Sequence, residues 1–287
     1  MSAGPGRRVL VTGAASGLGA ALVSAFSARG DRVLATDLDV RGLDTGAERL
    51  TRPAEGVERL PRPAEGVERP TRPAELKLDI TSDDDWAAAL AWVEREWGGL
   101  DVLVNNAGVA GGGRLDVATM DEWEWITRIN LFGVVRGTRT FVPMFKAQRS
   151  GHIVNVASLA GLVHPAGMAS YNAVKAAVVA LSETTGHELA AYDVRCSVVC
   201  PSYFRTNLMD GLQGADTALG AVMSQLVENS PFTADDIARA VLEGMDRGED
   251  VIIPDKAARG AVDLKQNDRA AYDAVMRKQA ARLDQMG

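Results

Sequence analysis

The stretch Arg8-Val9-Leu10-Val11-Thr12-Gly13-Ala14-Ala15-Ser16-Gly17-Leu18-Gly19-Ala20-Ala21-Leu22-Val23 decides the fold. It opens as a short, continuous apolar run, passes through three glycines and goes on as a helical pattern over about 17–29. Glycines let the backbone turn sharply and come close to a ligand. The helix that follows offers unpaired N–H groups and a partial positive charge, a ready seat for phosphates. Strand, glycine turn and helix in this order are the context that a dinucleotide site requires. Asp37 closes the next apolar run. It lies about 20 residues on, where a carboxylate can accept hydrogen bonds from an adenosine ribose.

Working outward, short apolar runs at 8–12, 32–36, 76–79, 101–104, 151–156, 194–199 and 250–253 predict strands. Longer helical patterns lie between them at about 17–29, 41–50, 82–97, 121–147, 170–190 and 233–247. Thr119 with Glu122, Ser82 with Asp85, and Thr233 with Asp236 have capping-box spacing or a close variant of it. The alternation predicts an α/β fold: a Rossmann-type, doubly wound, seven-stranded parallel sheet with helices on both faces. The strands read as unbroken apolar runs, as a sheet covered on both sides demands.

Two segments stand apart. Residues 51–75 repeat Thr-Arg-Pro-Ala-Glu-Gly-Val-Glu-Arg-Leu with period ten, and Pro53, Pro63 and Pro73 forbid a continuous helix there. Five Arg and five Glu cancel within it. It reads as an extended surface loop inserted between a helix and a strand, on the edge of the sheet away from chemistry. Residues 255–287 read as a C-terminal helical extension, with a stripe of Tyr272, Val275, Met276 and Leu283 from Asp268 onward. Such a stripe packs against something: its own subunit, a neighbouring one, or the mouth of the site. Residues 1–254 are expected to form one dinucleotide-binding and catalytic domain.

The chain has 287 residues, a net charge of −7 and a 46% hydrophobic share, which suits a globular protein with a full core. The acidic balance argues against nucleic acid and gives no reason to expect an anionic membrane partner. No apolar run reaches the ~20 residues of a transmembrane helix, and no signal-peptide core precedes Val9, so a cytoplasmic location is expected. Cys196 and Cys200 have equal parity on one strand and read as small core residues; no metal site is expected.

Ser158, Tyr171 and Lys175 carry the chemistry. Tyr171 and Lys175, four apart on a helix, share one side. An adjacent ammonium favours a phenolate, drawing a phenol that ionises near pH ~10 toward useful base strength. With Ser158 thirteen residues upstream, the trio is suited to moving a proton on and off an oxygen.

These motifs together resemble the short-chain dehydrogenase/reductase family, in its single-domain branch, over about residues 7–254. The glycine motif matches as Gly13-x-x-x-Gly17-x-Gly19. Asp79-Ile80 matches the adenine-contacting segment, and Asn105-Asn106-Ala107-Gly108 matches the end of the fourth strand. The resemblance implies a catalytic tetrad of Asn130, Ser158, Tyr171 and Lys175. It also implies cofactor contacts from Gly13, Ser16, Gly17, Leu18, Gly19, Asp37, Asp79, Ile80, Asn106, Tyr171, Lys175, Phe204 and Thr206. In these roles Tyr171 is the acid/base and Ser158 holds the substrate oxygen. Lys175 lowers the Tyr171 pKa and binds the nicotinamide ribose, and Asn130 holds a water in a proton path. The family's Pro-Gly after the sixth strand is here Pro201-Ser202, a less permissive turn.

Asp37 would repel a 2′-phosphate, the glycine turn holds no cation, and Leu38 follows, so NAD is the expected cofactor. The expected pocket segments are Val109 and Ala110, Leu162 to Met168, and Tyr203 to Gln225, the last with a lid at 207–230. They carry few charges and predict an apolar alicyclic, aromatic or long-chain secondary alcohol or ketone. His164 is a further candidate for the pocket wall. His152, His187 and the five tryptophans read as structural. An NADP-dependent ketone reductase of the same family is the alternative, and a catalytically silent NAD-binding interaction protein is another. The resemblance also implies a homodimer or homotetramer built through helices 121–147 and 170–190.

Overall fold

A computed structural model describes residues 6–43, 72–206 and 213–285. Its centre is a sheet of β1 (Arg8–Thr12), β2 (Arg32–Asp37), β3 (Ala74–Lys77), β4 (Val102–Asn105), β5 (Gly151–Val156), β6 (Val194–Val199) and β7 (Val251–Ile252). All seven strands run parallel in the order β3-β2-β1-β4-β5-β6-β7. The order reverses between β1 and β4, which pair Val11 with Val104. The crevice at such a reversal, beyond the strand ends, is where this architecture binds ligands.

The period of two along each strand divides the core. Val9 and Val11 face one side, where α1 (Gly17–Ala28) and α8 (Ala234–Arg247) cover them with Leu22, Phe26, Val241 and Leu242. Leu10, Leu34, Leu103 and Ile153 face the other, under Trp86 and Val93 of α2 (Asp83–Trp97) and Phe141 and Phe145 of α4 (Phe132–Gln148). Each fully buried side chain of this size stabilises the fold by about 1.5–3 kcal/mol. Trp86 meets Phe141 edge to face at 6.4 Å. Cys196 and Cys200 are buried, free and on one face, and burial pushes both thiols up to about 12. His152 is fixed as a neutral ring. The Ser197 hydroxyl donates to the Glu249 carbonyl, so its oxygen accepts from His152 Nε2 at 2.8 Å, and burial lowers the His152 pKa to about 3.

The capping predictions hold in detail. Thr119 and Glu122 cap α3 (Met120–Asn130) reciprocally, Thr233 and Asp236 do the same for α8, and the Ser82 hydroxyl accepts from the Asp85 N–H at the start of α2. Three expectations change. The pattern at 121–147 is two helices, α3 and α4, parted at Leu131. A continuous apolar stripe cannot reveal a bend of one residue. Strand β3 starts two residues early, because Ala74 and Glu75, which by composition belong to the repeat, pair with Leu34 and Ala35. The segment read as cap-poor contains α7 (Thr217–Glu228), capped by the Asp216 carboxylate, which accepts from the Leu219 N–H. The predicted lid is therefore helical from 217 to 228. Most of 51–75, most of the predicted helix at 41–50, and residues 207–212 of the lid lie outside the described residues.

The remaining helices are α5 (Ala160–Val163), α6 (Ala169–Leu189), α9 (Lys256–Asn267) and α10 (Arg269–Asp284). Tyr272 and Leu283 of α10 are buried as expected, but Val275 is 52% exposed. Positions 272, 276, 279 and 283 recur at i, i+4, i+7 and i+11 and share one face, with 275 on its flank. No described helix is long and apolar enough to cross a membrane.

Candidate active site

A cavity of about 740 Å³ runs along the C-terminal ends of β1, β2, β4, β5 and β6. Its first wall is the glycine turn. Gly13 adopts φ +66°, and a Cβ at Gly19 would overlap the Gly13 carbonyl oxygen, so the turn closes on itself without room for a side chain. Ser16 caps α1 by position but makes no side-chain cap bond, and the first turn of α1 carries no acidic residue. The exposed hydroxyl and the free N–H groups thus face a site suited to phosphate.

The carboxylate of Asp37 ties β2 to this turn. Its Oδ2 accepts from Ala15 N at 2.9 Å, while the side chain still lines the cavity. Asn106 does the same from β4, its Nδ2 donating to the Thr12 carbonyl at 2.8 Å and the Gly13 carbonyl at 3.2 Å. Asp79 is set by Thr81, whose N–H and hydroxyl both donate to Oδ1 at 2.8 Å. Ile80 lies against Gly133 and lines the cavity. Phe204 and Thr206 line it from the segment after β6. Ser202 does not take a left-handed conformation, so the missing glycine costs the backbone nothing, and the Pro201 carbonyl accepts from Leu159 N at 2.8 Å.

Ser158, at the end of β5, and Tyr171 and Lys175, on α6, meet in the same cavity. The Ser158 hydroxyl oxygen accepts from Ala160 N at 3.2 Å and stands near enough to Tyr171 to exert a lowering pull on its pKa. Lys175 is buried, with Nζ donating to the Val156 carbonyl at 3.1 Å and standing 5.7 Å from the centre of the Tyr171 ring. Burial dominates both titrations. It pushes the Tyr171 phenol up to about 12, against the lowering pull of Ser158, and pushes the Lys175 ammonium down to about 8. The expected lowering of the Tyr171 pKa by Lys175, with the nicotinamide charge acting the same way, is opposed here by burial. In the protein by itself desolvation wins, so a low phenol pKa requires further positive charge beside the ring.

Asn130 is fully buried, with both polar side-chain atoms bound to the Val109 backbone: Oδ1 accepts from Val109 N at 2.8 Å and Nδ2 donates to Val109 O at 2.9 Å. It shapes the segment after β4 and does not itself line the cavity. His164 also misses the cavity wall. It takes φ +56° and turns to the C-terminal extension, where Lys265 Nζ lies 2.7 Å from its Nδ1. Burial and the Lys265 charge lower its pKa.

Beyond Tyr171 the wall is apolar, formed by Val109, Ala110, Val163, Met168, Tyr203 and Met223, as expected from those segments. Leu208, Met209 and Leu212 lie outside the described residues. Sequence reasoning missed Leu226, Val227 and Gln279. The first two belong to the unrecognised helix α7. The third comes from α10, whose stripe was expected to pack on its own subunit, a neighbouring one or the mouth of the site. The described residues hold no cluster of metal-ligating side chains.

Known proteins share this fold. The family model for short chain dehydrogenases matches residues 7–216. The chain is 31% identical over 239 residues to the 2-(R)-hydroxypropyl-CoM dehydrogenase of Xanthobacter autotrophicus, covering 82% of this chain and 90% of that protein. A short-chain dehydrogenase/reductase from Burkholderia phymatum, solved in complex with NAD, superimposes with a TM-score of 0.80 at 28% identity, over 93% of this chain and 95% of that one. A short-chain dehydrogenase from Sphingobium yanoikuyae in complex with NADPH superimposes at 0.69 and 29% identity, over 98% and 95%. The chain belongs to the short-chain dehydrogenase/reductase family, NAD(P)-dependent oxidoreductases acting on CH–OH groups.

Proposed function

We propose that this protein interconverts a secondary alcohol and its ketone with NAD, on an apolar alicyclic, aromatic or long-chain substrate. The observation that carries the reading is that Ser158, Tyr171 and Lys175 share one cavity with the glycine turn and Asp37. NAD⁺ would take up the hydride when bound. The chain's own part is the proton and the positioning. Tyr171 takes the proton from the alcohol, or returns it to the ketone oxygen. Ser158 donates a hydrogen bond to that oxygen as charge develops on it. Lys175 hydrogen-bonds the nicotinamide ribose, and its charge acts with that of the oxidised nicotinamide to offset the burial that raises the Tyr171 pKa. Asn130 is a positioning residue of the proton path. Gly13, Ser16, Gly17, Leu18 and Gly19 would hold the phosphates, Asp37, Asp79, Ile80 and Asn106 the adenosine, and Phe204 and Thr206 the nicotinamide end.

Three features support NAD over NADP. Asp37 lines the cavity, the neighbouring Leu38 is 62% exposed and uncharged, and Arg41 is held by Asp39 through two contacts of 2.9 Å. Turnover of apolar secondary alcohols should therefore favour NAD⁺, and Asp37→Ala should shift the NAD⁺/NADP⁺ ratio of kcat/KM toward NADP⁺ by at least about tenfold, one like-charge contact at ~1.4 kcal/mol. An unchanged ratio would remove the NAD assignment, and turnover confined to charged sugars would remove the apolar substrate.

The same proposal includes one domain over 1–254 with an inserted loop at 51–75, a C-terminal extension at 255–287, and a cytoplasmic homodimer or homotetramer. The exposed Phe132 (48%) on α4 is in keeping with a subunit contact there.

A further inference from the structure

We infer that Gln279, on the C-terminal helix α10, determines substrate specificity by hydrogen-bonding a second, neutral oxygen group remote from the reacting carbon. The inference rests on the secondary-alcohol reading above and deepens it. Gln279 lines the cavity, and the residues of α7 that line it, Met223, Leu226 and Val227, are all apolar. It shares the inward face of α10 with Tyr272 and Leu283, which are 5% and 4% exposed. Its carboxamide has no hydrogen-bond partner among the described residues. The carboxamide is half-buried at the cavity wall, so it is open to pairing with a ligand there.

The helix is held so that this side chain stays in place. Leu283 packs into the cluster of Met168, Tyr171, Leu219 and Met223, and Gly167 leaves it room: a Cβ there would stand 2.7 Å from Leu283 Cδ1. The Leu283 carbonyl accepts from Arg114 Nη1 at 3.4 Å, and Arg114 is clamped by the buried Asp216, with Nε–Oδ2 at 2.8 Å and Nη2–Oδ1 at 3.2 Å. At the other side Lys265 of α9 donates to the Leu162 carbonyl. The extension is thus fastened to the loop before Tyr171 and to the cap of α7.

A carboxamide both donates and accepts, so it suits a hydroxyl or a keto oxygen. The cations lining the cavity among the described residues are Arg128 and Lys175, neither on this helix pair, so a remote carboxylate would find no counter-ion beside Gln279. The ligand class is an alicyclic diol or hydroxyketone rather than a plain hydrocarbon ketone or a keto acid.

The test uses matched alicyclic ketones of one to three rings, with and without a second hydroxyl or keto group, assayed with the full-length enzyme, Gln279→Leu and Gln279→Met. The unmodified enzyme should prefer the doubly oxygenated partner in at least one pair. In both variants that preference should fall about tenfold, the worth of one hydrogen bond, through KM rather than kcat. Melting temperatures serve as the control for folding. A preference unchanged within twofold, or an equal loss on both members of every pair, would overturn the role of Gln279 while leaving the alcohol dehydrogenase reading intact. Absence of turnover by the unmodified enzyme on every ketone would overturn both.

Discussion

Tyr171→Phe is expected to lower kcat/KM for secondary alcohols by a factor of roughly 10²–10⁴, the usual contribution of a positioned acid or base. The substitution is a clean probe because of where the ring lies. Tyr171 is 8% exposed and packs with Met168, Val174 and Met223, so the phenyl ring of the variant keeps the apolar contacts and loses only the hydroxyl. Ser158 retains its bond from the Ala160 N–H. Dinucleotide affinity, measured by fluorescence titration, should change by less than about twofold, because one lost hydroxyl leaves the glycine turn untouched. Retention of more than about a tenth of the activity would move the proton to another group, since that is less than the smallest effect expected of a working acid or base.

Gly19→Ala is the second large effect, and its sign runs against helix propensity. Gly19 lies in α1, where alanine is the better helix former by about 1 kcal/mol. Sterics decide otherwise. The added Cβ would overlap the Gly13 carbonyl oxygen and stand 2.7 Å from Asn106 Nδ2. Neither neighbour can yield cheaply, since one is backbone and the other is held by the Thr12 carbonyl at 2.8 Å. Overpacking of this kind costs about 1–3 kcal/mol. The turn must open to relieve it, and the phosphate seat opens with it. Affinity for NADH should fall by roughly tenfold to a hundredfold, the same range expressed as binding. An unchanged affinity with a raised melting temperature would show that propensity, not the close approach, governs this position.

The sheet and the reacting trio were legible in the sequence for a common reason. Each depends on residues near one another in the chain: a period of two along β1, a glycine turn of seven residues, a Tyr and a Lys one helical turn apart. The reversal of strand order follows from the same local units once they wind on both sides of the sheet. What could not be read depends on contacts between distant segments. Asp216 is at once the cap of α7 and the buried partner of Arg114, 102 residues away, and a single aspartate after the glycines at 211 and 214 carries no sign of either role. The inward face of α10 was misread at Val275 because four apolar residues fit more than one stripe, and only packing against Gly167 and Met168 selects the face with Gln279. His164 sits in the loop that a pocket would use, yet Lys265, 101 residues later, draws it to the extension. Burial, too, escapes the sequence. It reverses the direction in which the Tyr171 pKa moves in the protein alone, and so gives bound positive charge a larger part in activating the phenol.

The most direct test of a proton carried by Tyr171 is the pH dependence of kcat/KM in both directions. Alcohol oxidation needs the phenolate and ketone reduction needs the phenol. Burial raises the phenol pKa, so oxidation should climb as pH rises above neutrality and level off only in the alkaline range. Reduction, with a neutral nicotinamide bound, should be flat through neutrality and fall only at a higher pH than the oxidation bend. An oxidation bend above neutrality, with the reduction bend at still higher pH, is the predicted result. An oxidation rate already level at pH ~6, with reduction falling from there upward, would place the proton on a group with the pKa of a histidine and contradict the account.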